Sequence, residues 1–308
     1  MATTGTRQYV SSHFKLELGD ADVGFLRSAE GGGLKADILT YQQGSVQDHW
    51  RQAGRPSYDA ITLSVGMNLS KQFYTWISTF FSRKGERQHG ALVAADFNYN
   101  EVGRRTFTEA LISQVDLPAL DASKAEPAYM TVKIVPENVT FETKKGPKLD
   151  APQRPESTGK LWQSSNFSLT IDGYDDACKR VTKVDQFSIK QQILEYPSGN
   201  SRFPIKIPGK LEYPSITFYV PAVDALPFVE ASKKRLVDFE APPPSRLNGA
   251  ITYLTTDKKP LCTVTLSGVD IISSEVQKMD STAETFLFHK VQIQVEKVDF
   301  DYKSEAVG

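Results

Sequence analysis

The octapeptide YDAITLSV begins at Tyr58, and YPSITFYV begins at Tyr213, 155 residues further on. The same offset carries Ile61-Thr62 onto Ile216-Thr217, Val65 onto Val220, Gly54 onto Gly209 and Phe73 onto Phe228. It carries ILTYQQG at Ile38 onto ILEYPSG at Ile193, and it sets Leu111 against Leu266. Slightly different offsets pair HFKLEL at His13 with NFSLTI at Asn166, and Gly90-Ala91 with Gly249-Ala250. Near each end, VKIVPENVTF at Val132 pairs with VQIQVEKVDF at Val291. Matches that keep one order along the whole chain mean a tandem duplication. Whatever unit this chain forms, it must form it twice.

Within each copy the apolar residues alternate as in half-buried strands: Phe14, Leu16 and Leu18 on one face, Phe167, Leu169 and Ile171 on the other copy's counterpart. Near the end of each copy the alternation changes phase. Val132 and Ile134 give way to Val139 and Phe141 across Pro136, and Val291, Ile293 and Val295 give way to Val298, Phe300 and Tyr302. That predicts a β-bulge bending one long strand in each copy. One helix is predicted per copy. In the first, Leu69, Phe73, Trp76, Ile77, Phe80 and Phe81 fall at helical spacing with Ser70 as N-cap. In the second, Asp224 is the expected cap and Pro227 lies in the first turn, but the stripe is thinner: Trp76 is matched by Ala231 and Phe80 by Arg235. The expected fold is mainly β, two tandem β-sandwich or barrel domains with one α-helix each. The domains are expected at residues 1–141 and 166–308, joined by a Pro-, Lys- and Gly-rich linker at 142–165. The proline-rich EAPPPSRLNG at Glu240 reads as a loop after the second helix.

Chemistry is hard to find. The chain has 308 residues, 40% hydrophobic and 24% charged, with a net charge of -1, so no polyanion-binding surface is expected overall. There is no phosphate-binding G-x-x-x-x-G-K-[ST] and no G-x-G-x-x-G between a strand and a helix; Gly31 to Gly33 read as a turn. None of His13, His49, His89 and His289 has another His or Cys at metal-ligand spacing. Asp48 beside His49 lies in a polar stretch and reads as a loop contact rather than half of an acid–base pair. Asp175 and Asp176, read as strand residues, point to opposite faces and share no ligand. CKRVTKVDQFSIK reads as an alternating strand with a charged outer face, so no sequence-specific nucleic-acid binding is expected. No catalytic, cofactor or metal set emerges, and no enzyme is expected. The N-terminal MATTGTRQYVSSHF lacks an apolar h-region, and no run reaches the ~18 apolar residues of a membrane span. Cytoplasmic assembly without a signal peptide, no stable membrane insertion, and reduced thiols at Cys178 and Cys262 follow as expectations.

Taken in order, FKLEL at Phe14, VGFLRSAEGGGL at Val23, YQQGS at Tyr41, ITLSVGM at Ile61 leading into FYTWI at Phe73, and VTFET at Val139 resemble the tail tube proteins of contractile phages and phage-tail-like injection systems. The likeness covers Phe14 to Phe141 and returns, more weakly, from Phe167 to Phe300. It implies tube-type units that sit in six-unit rings, join strands into an inner barrel around a lumen, and stack into a tube inside a contracting sheath. With two units in one chain, it implies a trimer with pseudo-sixfold symmetry, or else a hexamer with the copies in separate layers. The expected partners are further copies of the chain and other tube, baseplate, cap or sheath proteins. The unequal helices suit a tube end, hub or cap, which joins unlike neighbours. The family's stacking loop corresponds to Gln47, Asp48, His49 and Trp50, and in the second copy to Asn200, Ser201, Arg202 and Phe203 in the stretch to Lys206. These are expected to be exposed and to touch neighbouring subunits or rings. The alternative reading is a two-domain β-sandwich that binds a surface ligand such as carbohydrate, with Trp50, Trp76 and Trp162 as a stacking platform.

Overall fold

The alternating segments become strands that follow one another in the same order twice. The computed structural model of the chain describes residues 13–302 except 20, 43, 45–47, 67–68, 144–145, 147, 151–161, 240–245 and 278–285. The first copy runs β1 (His13–Leu18), β2 (Ala21–Leu26), β3 (Ser28–Gly31), β4 (Leu34–Tyr41), β5 (Trp50–Tyr58), β6 (Ile61–Val65), α1 (Lys71–Phe81), β7 (Gln88–Ala95), β8 (Glu101–Leu117), β9 (Leu120–Asp121), β10 (Met130–Val135) and β11 (Asn138–Glu142). The second runs β12 (Phe167–Ile171), α2 (Asp175–Cys178), β13 (Lys183–Val184), β14 (Phe187–Tyr196), β15 (Ile205–Glu212), β16 (Ile216–Pro221), α3 (Leu226–Leu236), β17 (Leu247–Leu254), β18 (Pro260–Val276), β19 (Phe288–Gln294) and β20 (Lys297–Tyr302). From β4 through the helix the copies correspond at an offset of 155, and from β7 onward at 159. Ile61 and Ile216 are both fully buried at equivalent positions.

Several expectations need correcting. Gly90 faces Phe107 and Gly249 faces Leu266, so Leu266 corresponds to Phe107, while Leu111 corresponds to Asp270. The shift arises because the loop after α3 is longer than the one after α1; its Glu240–Ser245 part lies outside the described residues. The phase change is not a bulge in one strand but a break between β10 and β11, and between β19 and β20, each pair lying along one edge of the preceding long strand. The strand that bends is β8, and likewise β18, where Glu109 (φ 51°) and Gly268 (φ 70°) occupy the same left-handed position. In the second copy α2 stands where β2 would be, so Asp175 and Asp176 lie on a helical turn, and Asp176 pairs with Lys179 at 2.6 Å. The stretch from Cys178 is likewise a turn followed by β13 and β14 rather than one strand.

Helix α1 buries Phe73, Trp76, Ile77, Phe80 and Phe81, as its spacing predicts, and also Tyr74. Ser70 holds the cap position with extended backbone, but its side chain makes no capping bond. Asp224 is not the cap of α3. It lies in a preceding 3-10 turn, paired with Arg180, and Ala225 takes the cap position. Pro227 does sit in the first turn. At Gly31 (φ 93°) a Cβ would lie 2.0 Å from the Ala60 carbonyl oxygen, which fixes glycine at the end of β3.

Both cysteines are buried and unbridged. Burial, with Asp175 nearby, pushes the Cys178 thiol up to about 12, and burial raises Cys262 well above its ordinary value. The native protein should therefore resist thiol reagents at pH 8 and react at both cysteines once unfolded. Because the unfolded thiols ionise near 9, stability should fall as pH rises between about 9 and about 12. A chevron of labelling against denaturant checks the first expectation, and alkaline melting checks the second.

Candidate assembly interface

The two copies are not separate beads. The first copy's sheet runs β2-β1-β7-β8-β10-β6-β3, and β14 of the second copy adds to it by pairing with β8, carrying β15 along. The register is Phe187↔Leu117, Ser188↔Asp116, Ile189↔Val115 and Lys190↔Gln114, antiparallel. In return, β9 of the first copy pairs with β13, extending the second copy's sheet β12-β17-β18-β19-β16-β13. Each copy thus closes an edge of the other, which removes two rows of unpaired backbone groups.

Side chains reinforce this seam. Tyr74 of α1 stacks on Tyr302 of β20 with ring centroids 3.8 Å apart, and Phe81 stacks on Phe300 at 5.8 Å. Ser78 donates a hydrogen bond to the Phe300 carbonyl at 3.1 Å. Such aromatic pairs are worth about 0.5–1.5 kcal/mol each beyond the area they bury. At the hairpin, an ion pair grips one backbone residue. Arg87 donates to the Lys206 carbonyl (2.5 Å), and the Lys206 N–H donates to Glu137 Oε1 (2.8 Å). Arg87 is itself held by Glu137 at 3.0 Å and Glu109 at 3.1 Å. Burial in this joint lowers the Lys206 ammonium pKa from its usual value, against the pull of Glu195 and Glu137.

Among the described residues, the counterparts of both halves of this joint lack such a partner. In the first copy, β4 and β5 pair with no other strand among the described residues, and every residue of β4 is exposed, including Leu34 (62%) and Ile38 (69%). Phe141, the counterpart of buried Phe300, is 64% exposed. In the second copy, Val276 at the end of β18 is exposed where its counterpart Leu117 is fully buried. Leu236 of α3 is likewise exposed, whereas its counterpart Phe81 is buried. The first copy therefore offers a hairpin and an aromatic strand, and the second offers a strand edge and a helix.

The helices differ as the sequence indicates. Trp76 fills the space beneath α1 and donates its indole N–H to the Glu86 carbonyl at 3.0 Å. Beneath α3, with Ala231 in its place, lies an open depression of about 450 Å3. Arg235, the counterpart of Phe80, makes a two-pronged ion pair with Asp270 at that depression.

Asp48, His49 and Trp50 are exposed at the tip of the first hairpin, with Trp50 opening β5, while Gln47 lies outside the described residues. Asn200, Ser201 and Arg202 are exposed at the equivalent tip. Phe203 is half-buried and stacks on Tyr58 of the first copy at 5.2 Å. The stretch does not remain an exposed loop to Lys206: Ile205 and Lys206 are in β15, and Lys206 is buried because its strand lies in the joint. Trp76 and Trp162 are buried and Trp50 is exposed, so the three tryptophans form no common platform. Sequence reasoning missed Arg87 and Glu137. Their signal was present in the repeat, since the 159-residue offset carries them onto Arg246 and Glu296.

The model of the T4-like virus tail tube protein gp19 family matches residues 10–140 and again residues 163–299. The chain belongs to the T4-like virus tail tube family. It is a structural protein of a tail-type particle. A comparison with curated protein sequences gives no match. Among solved structures, the chain is similar to one from the PVC sheath-tube complex of an extracellular contractile injection system in its extended state. That likeness has 15% identity, covers 47% of this chain and 99% of the other, and has a TM-score of 0.41. It is also similar to the anti-feeding prophage cap, described as the AFP tube terminating cap, with 22% identity, 47% and 100% coverage and a TM-score of 0.39. Among the described residues of this tail tube family member, no helix is long and apolar enough to cross a membrane.

Proposed function

We propose that the chain is a non-enzymatic ring component of a tail or contractile-injection tube, acting at a tube end or junction, with three chains closing into one ring of six units. The observation that carries this reading is the strand joint between the copies, together with the exposed counterparts of its two halves, one in each copy. A head-to-tail interface of this kind generates a ring when the rotation closes. Repeating the internal register between chains puts Leu34 of one chain opposite Ser274 of the next. Because the helices differ, such a ring presents alternating chemistry, which suits a junction between unlike neighbours. The exposed hairpin tips, at Asp48–Trp50 and Asn200–Arg202, support contacts with the next ring, or with cap, baseplate or sheath proteins.

Adjacent residues on paired strands lie within disulfide reach. Mild oxidation of Leu34→Cys/Ser274→Cys should give cross-linked species ending at a covalent trimer of the 34.2 kDa chain, and neither single variant should do so. Native mass spectrometry of the unmodified protein should give three chains per ring. Six chains per ring, or a monomer that binds a glycan, would overturn this reading.

A further inference from the structure

We infer that Arg246 and Glu296 are a preformed clamp for the backbone of Arg51 in the next copy of the chain, an assignment that rests on the ring reading above. Within one chain, Arg87 and Glu137 hold both backbone groups of Lys206: the guanidinium donates to its carbonyl, and the carboxylate accepts its N–H. The offset of 159 carries Arg87 onto Arg246 and Glu137 onto Glu296. Those two side chains are already paired, Nη2 to Oε1 at 3.1 Å. Glu109, the third member of the first clamp, is replaced by Gly268, and Glu296 lies against that glycine so closely that a Cβ there would sit 2.6 Å from its Oε2.

The exposures differ as an empty clamp requires. The Arg87 and Glu137 side chains are 30% and 19% exposed, against 40% and 57% for Arg246 and Glu296. A solvent-exposed pair of this kind contributes little to the fold that carries it. The occupant is identified by the other offset. Lys206 corresponds to Arg51, which is exposed on β5. The two hairpins share one register, Glu195↔Lys206 and Thr40↔Arg51. The N–H and C=O of Lys206 leave its hairpin on the outer edge, so those of Arg51 do the same. The clamp reads backbone and not a side chain, which is why Lys206 and Arg51 can differ.

Arg246→Met/Glu296→Gln tests the assignment. The variant should melt as the wild-type monomer does, but its rings should dissociate at about tenfold higher protein concentration or more, since two charge-assisted hydrogen bonds per joint are lost. The swap Arg246→Glu/Glu296→Arg keeps an ion pair but turns donor into acceptor at each backbone group, so it should not restore the rings. Rings of unchanged stability in the first variant, or full rescue by the swap, would overturn the clamp and leave the ring standing. Absence of wild-type rings at any concentration would overturn the ring reading and the clamp with it.

Discussion

Trp76→Ala should lower stability by about 3–5 kcal/mol and the melting temperature by roughly 10 °C. Trp76 is among the largest fully buried side chains, packs edge-on against Phe73 with ring centroids 6.4 Å apart, and donates to the Glu86 carbonyl. Removing it leaves both a cavity and an acceptor without its donor. The second copy lacks this side chain naturally, so Ala231→Trp should be accommodated in the depression beneath α3 with little change in melting. Thermal and denaturant unfolding of both variants would check the asymmetry. A Trp76→Ala protein within ~1 kcal/mol of wild type would mean that α1 is not anchored by that residue.

Replacing Leu34–Ser57 by a short Gly-Ser turn should abolish ring formation and leave the chain folded. The hairpin of β4 and β5 pairs with no other strand among the described residues, and its ends already meet, with the Asp59 N–H donating to the Gly33 carbonyl at 2.9 Å. Its removal costs the monomer little and takes away one full half of the joint. Excising the equivalent β14–β15 hairpin should behave oppositely. It would expose the β8 edge at Val115–Leu117, empty the Arg87–Glu137 clamp and lower the melting temperature. Size-exclusion chromatography with melting curves separates the two outcomes. Rings that form without the first hairpin would show that ring closure uses another surface.

Much of the fold was legible because burial in strands and helices imposes periods of 2 and 3.6, and because a duplicated sequence lets each copy check the other. Those periods gave the strands about Ile61 and Ile216, the apolar face of α1, and the loss of that face at Ala231 and Arg235. The lengthened loop after α3 misled the alignment at Leu111, because a single offset cannot see a shift between elements. The family was legible in the order of its segments.

What the sequence could not decide was which edge pairs with which. Backbone N–H and C=O groups are the same at every residue, so nothing in FSIK from Phe187 names the edge at Gln114–Leu117 as its partner. Over the eight residues they share, β4 and β14 carry one pattern, with Leu34, Ile38 and Leu39 standing for Ile189, Ile193 and Leu194. The tertiary structure places β14 on the first copy's sheet, through a start lengthened by Phe187 and Ser188, and leaves β4 paired with β5 alone among the described residues. Arg87 and Glu137 were hidden for the same reason: a charged pair in two loops becomes a clamp only once chain folding brings the carbonyl and N–H of Lys206 between them. The sequence determined two units and their differences; the three-dimensional packing decided that they meet as neighbours in one sheet, because hydrogen-bond partners are chosen by position and not by residue type.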